Sequence, residues 1–477
     1  MPPLDFLRVL SDDDVKAIHA SSLTILEEIG IRVPHQPLLE LLRDSGARVD
    51  FERQIIKLPA GLVETSVRQL PRMFTWHARN PRYDIVLGDG SVNYIGASTV
   101  VTVHDLDGHR RPATLEDARS FSRLKDALPN IQDAYTAVHP VDVPEHACHA
   151  HQLYVQFTCS EKPARARMLG AKIARDCIRM ARIVAGGADA ARARPNLLVV
   201  INSVSPLAHA VEQIEALYEF ASAGFPMFIC PEVQSGGTGP VTLAGLLTMQ
   251  NAEILGGVCM VQAIAPGLGT GYGTVSNILD MRHGIMPYGT AEGCLINVAT
   301  AQMARYYGMP SRGTAGFTDS NAVDAQAGLE TAMTLLSATL AGIDLMLGAG
   351  GLEDALAVSY AKTVLDDELI GYIRRISQSV EVTSETIALD AVRRVGPAGS
   401  FLAEPHTLKH FRREHFAPSL SNRAKYDAWA EAGGKVMLDN AREKARNILQ
   451  EHQPVPLDRG VEQELRSVVR EAEAQTL

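Results

Sequence analysis

Aromatic residues are scarce in this chain: phenylalanine, tryptophan and tyrosine together make up 5% of its 477 residues. A pocket that holds a cation against ring faces must therefore be built from few rings. Cysteine is equally thin. The six cysteines, at 148, 159, 177, 230, 259 and 294, include no pair with CxxC spacing, which removes the usual zinc-ribbon and dithiol patterns. Reduced thiols, most of them acting as small buried hydrophobes, are expected. Basic charge is not in excess: 45 Lys and Arg stand against 55 Asp and Glu, a net charge of −10. That leaves no field for a phosphate backbone, so nucleic acid is not an expected partner. No apolar run reaches the roughly 18–20 residues of a membrane span. The opening MPPLDFLRVLSDDD lacks the basic-then-apolar order of a secretory signal. A cytoplasmic protein without membrane contact is expected.

Glycine, by contrast, is plentiful at 38 residues, so many tight turns and close helix–strand approaches follow. Residues 11–29 read as a helix: Ser11 with Asp14 has capping-box spacing, Val15, Ile18, Ser22, Ile25, Leu26 and Ile29 share a face, and Gly30 stops it. A second helix follows at about 37–45. From residue 92 the pattern becomes strand, loop, helix, repeated. Candidate strands begin near Val92, Asp133, Ala166, Leu197, Pro226, Gly271, Met309 and Ile343. Helical stretches lie near 114–128, 145–161, 171–187, 208–223, 241–264, 290–307, 323–341 and 354–380. Eight such units predict an α/β fold, a (β/α)8 TIM barrel over 92–381. An N-terminal extension of helices and strands covers 1–91, and a C-terminal helical extension covers 382–477. A doubly wound open sheet is the alternative architecture, and the absence of a dinucleotide fingerprint favours closure. The tail helix at 460–475 is polar on most faces, which points to packing or assembly.

Several motifs are weaker than they look. Gly267-Leu268-Gly269-Thr270-Gly271-Tyr272-Gly273 fails GxGxxG in every register, and close backbone approach explains it better. His146, Cys148, His149 and His151 lie on different faces of a helix and lack HExxH or CxxC spacing, so no metal site is expected there. No GxSxG elbow is present. Gly348-Ala349-Gly350-Gly351 follows the eighth expected strand, where barrels bind phosphate or carboxylate through backbone N–H groups; otherwise it is only a turn. The loop after the seventh strand carries Arg312, Thr314, Phe317, Thr318, Asp319 and Ser320 within nine residues. One cation, one aromatic ring and several hydroxyls suit a small charged ligand, though solvated loops share that mix. Tyr94, His139, Asn202, Glu232, Gln234, Tyr272 and Asn277 are further rim candidates, each near the carboxyl end of an expected strand.

Six phrases carry a family resemblance over most of the chain. They are LSDDDVKAIHASSLTILEEIGIRV, RRPATLEDARSFSRLKDALPNI, ICPEVQSGGTGPVTLAG, ARYYGMPSRGTAGFTDS with its following VDAQAGLE, SYAKTVLDDELIG and FLAEPHTLKHFR. In this order they resemble the trimethylamine methyltransferase family. The resemblance implies a TIM barrel whose top receives a separate corrinoid protein, and transfer of a methyl group from an amine nitrogen to cobalt(I). No cobalamin-ligating DxHxxG motif occurs in the chain. No tightly bound cofactor is therefore expected, and cobalamin is supplied by the partner. Some trimethylamine enzymes of the family carry pyrrolysine. This chain has only standard residues, and so resembles the branch without pyrrolysine, which includes glycine betaine methyltransferases.

The expected substrate is a quaternary amine, glycine betaine or a similar carboxylated betaine. Its trimethylammonium group is placed against Tyr94, Tyr272 and Phe317, with Glu232 adding negative charge. Its carboxylate is placed on Arg312, His406 or the backbone of Gly350 and Gly351. No catalytic acid–base residue is expected, since the work is positioning. The 234–240 loop, QSGGTGP, is a candidate mobile lid, and a homo-oligomer is expected. The alternatives are a phosphate-handling barrel, lyase or isomerase, and a non-catalytic scaffold binding betaine or the corrinoid protein.

Overall fold

Short runs of branched and small residues form the strands of the central sheet in a computed structural model describing residues 6–474. They are β1 (Asn93–Gly96), β2 (Ala164–Arg165), β3 (Leu197–Ile201), β4 (Met227–Ile229), β5 (Thr270–Gly273), β6 (Ser311–Thr314) and β7 (Leu345–Ala349). All pairings are parallel, and the spatial order is β1-β7-β6-β5-β4-β3-β2. The sheet curls into a half-barrel with helices outside it. Seven strands pair where eight were expected.

The missing strand has a physical cause. The segment around Asp133 lies in the seam between β1 and β2, where the Gln132 N–H donates to the Tyr94 carbonyl (2.8 Å) and the Ala134 N–H to that of Pro163 (2.9 Å). Side chains then displace the ladder. Gln132 Oε1 accepts the Tyr94 N–H (3.0 Å) and Asp133 Oδ1 accepts the Gly96 N–H (2.9 Å). Ala137, at φ +64°, ends the extended run. A buried carboxylate at such a place is tolerable only when paired. Asp133 is held by Lys125 (3.0 Å) and Arg165 (2.9 Å), whose charges keep its carboxyl below the usual range although burial pushes it upward.

Helix starts follow their expected caps. Ser11 and Asp14 close a capping box on the helix Asp12–Thr24, and Thr114 and Asp117 do the same for Leu115–Ala127. The last expected barrel helix is shorter than 354–380, running Tyr360–Ser377 behind a strand at Ala357–Ser359. The helix Leu243–Ile264 is long and apolar enough to pass for a membrane span, yet 83% of its most apolar stretch is buried in the fold.

The two ends of the half-barrel differ. Below the strands, a hairpin of Phe74–Trp76 and Ile85–Leu87 closes the amino-terminal face. Trp76 Nε1 donates to the Ala164 carbonyl (2.9 Å), the Gly88 N–H to Asp344 Oδ1 (2.9 Å), and Phe74 packs on Phe228. The N-terminal extension thus plugs the bottom. Above the strands, loops are tied to one another. Residues 351–352, 357–359, 102–104 and 110–112 form a four-stranded sheet, and 234–235 pairs with 277–278. Glu353 fastens the first of these by hydrogen bonds to His104 (2.7 Å) and Arg110 (3.0 Å).

The tail helix Arg459–Ala474 is less uniformly polar than its composition implies. Leu465, Val468, Val469 and Ala472 make one buried stripe, lying against the helices Cys148–Cys159 and Gly170–Ala185. Its apolar face is therefore covered by its own chain.

Candidate functional site

Side chains on a strand alternate between faces, and paired residues of neighbouring strands point the same way. That parity decides what reaches the barrel interior. Arg165 pairs with Leu198, Gly273 with Arg312, and Leu347 with Ile95. Leu198, Val200, Arg312, Thr314, Leu347 and Arg165 all line a cavity of about 210 Å³ at the carboxyl ends of the strands. Loop residues complete it, among them Thr99, Tyr135, Met168, Asn202, Tyr288 and Phe317. The size suits a small molecule. The glycine run of β5 belongs to the same design. A Cβ at Gly271 would lie 2.1 Å from the Phe228 ring, and one at Gly273 would lie 2.1 Å from Cys230 Sγ.

Two cations dominate the cavity wall. Arg312 is 2% exposed and donates through one terminal nitrogen to the Thr274 carbonyl (3.3 Å). Arg165 is 6% exposed, donates to Asp133 Oδ2 (2.9 Å) and the Gly96 carbonyl (3.3 Å), and lies over the Tyr135 ring at 4.1 Å. The Nε–H of each is buried without a protein acceptor. Opposite charge is short around them, because Asp133 is already shared between Lys125 and Arg165. The aromatic part consists of Tyr288 and Phe317, with ring centroids 5.3 Å apart, and Tyr135, whose hydroxyl meets that of Thr99 (3.2 Å). Burial pushes the Tyr288 phenol far up, so it stays neutral.

Of the residues expected at the rim, Arg312, Thr314, Phe317 and Asn202 meet in this cavity. The others do not line it. Tyr94 and Tyr272 have the opposite parity. The Tyr94 hydroxyl meets Thr339 (3.0 Å) in the outer helix layer, and that of Tyr272 donates to Asn251 Oδ1 (3.0 Å). Neither ring is available to a ligand in the barrel. Glu232 is near enough to Tyr288 for its charge to bear on the phenol, but burial raises its own pKa and so opposes the negative charge expected of it. His139 is engaged by Glu145 (2.7 Å) and Arg167 (2.9 Å). Asn277 accepts from the Thr290 hydroxyl (2.8 Å), which serves the fold. His406 sits in the C-terminal extension beside His410, its Nε2 3.2 Å from the Glu385 carbonyl.

The glycine turn is also otherwise occupied. The Gly350 N–H donates to Asp366 Oδ2 (2.6 Å), itself held by Lys362 (2.7 Å), so this donor is not free for a substrate anion. A Cβ at Gly351 would meet the Phe317 ring at 2.1 Å, which makes that glycine the seat of the ring. The expected lid at 234–240 is a tied turn. The carbonyl of Gln234 accepts the N–H groups of Gly237, Thr238 and Gly239 at 2.9–3.0 Å. Among the histidines left without a metal reading, His149 meets Asp176 (3.0 Å) and His151 meets Glu473 (2.9 Å), each with its own partner.

The rim carries one further arrangement. Asp319 Oδ1 accepts the Tyr288 N–H (2.6 Å), and both its oxygens face the Gly289 N–H. Asp354, in the loop after β7, meets the Asp319 carboxyl. Burial and the closeness of Asp319 and Glu330 push the Asp354 carboxyl up to about 8. The two carboxyls join loops that also carry Tyr288, Phe317 and Ala355 of the cavity wall.

The family model described as trimethylamine methyltransferase (MTTB) matches residues 2–476. The chain belongs to the trimethylamine methyltransferase family. A glycine betaine methyltransferase of Desulfitobacterium hafniense (strain Y51) is 36% identical over 463 residues, covering 97% of this chain and 96% of that protein. A trimethylamine methyltransferase MttB of D. hafniense (strain DSM 10664 / DCB-2) is 34% identical over 464 residues, covering 97% and 93%. Among solved structures, the monomethylamine methyltransferase MtmB of Methanosarcina barkeri superposes with a TM-score of 0.50 at 11% identity, over 94% of this chain and 96% of that one. At that identity the likeness concerns the fold, which this member of the family shares with MtmB.

Proposed function

We propose that this family member removes a methyl group from a quaternary amine, glycine betaine or a similar carboxylated betaine, and delivers it to the cobalt(I) of a separate corrinoid protein. The observation that carries the reading is the mixed character of the cavity. Two guanidinium side chains, Arg165 and Arg312, line it together with neutral aromatic rings, and a betaine has one end for each. N-methyl groups accept no hydrogen bond, whereas ring faces attract a cation by roughly 0.5–2 kcal/mol each. A carboxylate needs fixed donors, which a guanidinium supplies in charge-assisted form. The names of the two Desulfitobacterium relatives support an amine as methyl donor.

The chemistry asks little of the chain beyond alignment. A carbon–cobalt bond forms with the electron pair of cobalt(I) while the carbon–nitrogen bond breaks, its pair leaving with nitrogen. From a quaternary ammonium the leaving group is a neutral tertiary amine, so no general acid or base is needed. From free trimethylamine it would be an amide anion unless an electrophile or proton first captured the nitrogen. Arg312 and the rings hold the substrate, and the cavity aligns methyl and nitrogen toward the open face. The corrinoid protein enters as a second substrate from that face. We also read the 131–138 segment as the eighth strand of a (β/α)8 barrel, its ladder replaced by the Gln132 and Asp133 side chains, and the enzyme as a cytoplasmic homo-oligomer.

The phosphate-handling alternative rested on the 348–351 turn, whose Gly350 N–H is given to Asp366. Titration calorimetry with glycine betaine and with phosphorylated metabolites separates the two readings. Binding of betaine alone is expected; binding of a phosphorylated compound alone overturns the proposal.

A further inference from the structure

A second guanidinium stands in the cavity beside that of Arg312. Arg165 reaches the cavity from β2, across the seam at which the ladder is interrupted, while Arg312 reaches it from β6. The two charges are close enough to repel, and Arg312 is one of the influences lowering the Arg165 pKa, after burial. Two buried like charges held near each other are costly unless an anion meets them. Among the described residues, Asp133 is the one carboxylate that does so at Arg165, and it is divided with Lys125. Arg165 is also immobilised. Its terminal nitrogen is fixed on Asp133 and Gly96, its plane lies over Tyr135, and its Nε–H is left without an acceptor.

We infer that Arg165 is a specificity-determining residue, which with Arg312 forms a two-guanidinium clamp on the carboxylate of the substrate. The inference rests on the proposed betaine reading and names the side chain that distinguishes a carboxylated quaternary amine from a plain one. Each guanidinium supplies N–H donors to the cavity that both side chains line. The carboxylate is thereby fixed at one end of the cavity, and the ammonium falls toward Tyr288 and Phe317. The Lys125–Asp133 pair acts as the brace that keeps Arg165 extended. The same interruption of the ladder that opens the seam therefore gives Asp133 to Arg165.

Titration calorimetry on the full chain tests this with two probes, glycine betaine and tetramethylammonium, which has the same cationic head and no carboxylate. For Arg165→Gln we expect glycine betaine to weaken by about tenfold or more, the loss of one charge-assisted hydrogen bond. Tetramethylammonium should be unaffected, and Arg165→Lys should recover part of the betaine affinity. Equal weakening of both probes would show a structural role and overturn the inference, as would unchanged betaine binding. The double variant Asp133→Asn/Arg165→Gln removes both members of the buried pair. If it regained wild-type betaine affinity, Arg165 would serve only to neutralise Asp133, and the clamp would be refuted. Wild-type protein that bound tetramethylammonium as tightly as betaine would refute the clamp and leave the quaternary-amine reading standing. Wild-type protein that bound neither would remove both.

Discussion

Replacing Gly351 with alanine displaces an aromatic ring of the site without touching any charged group. The new Cβ would stand 2.1 Å from Phe317 Cδ1 and 2.4 Å from Cε1, whereas ordinary contact begins at 3.4 Å. The ring must therefore retreat by more than an ångström. Gly348 also lies against this ring, with Phe317 Cδ2 2.9 Å from where a Cβ would stand there, so the ring is seated between two glycines. Overpacking of this kind costs about 1–3 kcal/mol of stability. Loss of one ring face from the cation removes roughly 0.5–2 kcal/mol of binding, which is about a 2- to 30-fold weaker affinity. The assay is thermal unfolding alongside betaine titration of Gly351→Ala, with Phe317→Leu as the comparison. Both variants should weaken betaine in the same direction, Gly351→Ala with the larger loss of stability. Unchanged affinity in Gly351→Ala, with Phe317 shown to have moved, would refute the placement of the cation.

Two further predictions follow from the rim and the parity of the strands. Tyr94→Phe and Tyr272→Phe should leave betaine affinity unchanged and cost about 1 kcal/mol of stability each, the usual worth of a buried hydrogen bond, because their hydroxyls serve Thr339 and Asn251; a large loss of affinity in either would contradict the outward placement. The raised pKa of Asp354, beside Asp319, should make the rim pH-sensitive. The folded-state pKa of Asp354 lies above its ordinary value of 3.8, so its contribution is complete at low pH and is lost as pH rises through about 8. Above that point Asp354, Asp319 and Glu330 repel, and betaine affinity should fall. Asp354→Asn keeps a donor toward Asp319 without titrating, and should flatten the profile; a profile that it leaves unaltered would exclude the pair as the cause.

Much of the fold was legible because the strand–loop–helix alternation is local. The capping boxes at Ser11–Asp14 and Thr114–Asp117, and the strand positions near Leu197, Gly271 and Met309, follow from spacing and turn residues alone. The site was less legible, for a reason of register. Tyr94 and Tyr272 were placed at the right strands on the wrong face, since a one-residue parity separates barrel interior from helix layer, and only their pairing with Met346 and Ser311, one residue off the inward-facing Leu347 and Arg312, fixes it. Arg165 was missed because β2 was expected to begin at Ala166, which put the arginine before the strand; it is in fact the last residue of a two-residue strand, Ala164–Arg165. The seam near Asp133 could not be foreseen, because the carboxylate takes the place of a ladder carbonyl only when Lys125 and Arg165 are brought to it. Tyr288 gave no signal, lying far along a long loop, and it reaches the mouth because Asp319 binds its N–H.

The most direct measurement follows the conversion of cobalt(I) to methylcobalt(III) by absorbance, with the protein, free cobalamin or a corrinoid protein, and each amine in turn. Glycine betaine or another carboxylated betaine should methylate cobalt, with little or no reaction from trimethylamine, because the proposed site is matched to a zwitterion and the sequence carries no pyrrolysine to activate a neutral amine. Faster methylation from trimethylamine than from every betaine would contradict the proposed function.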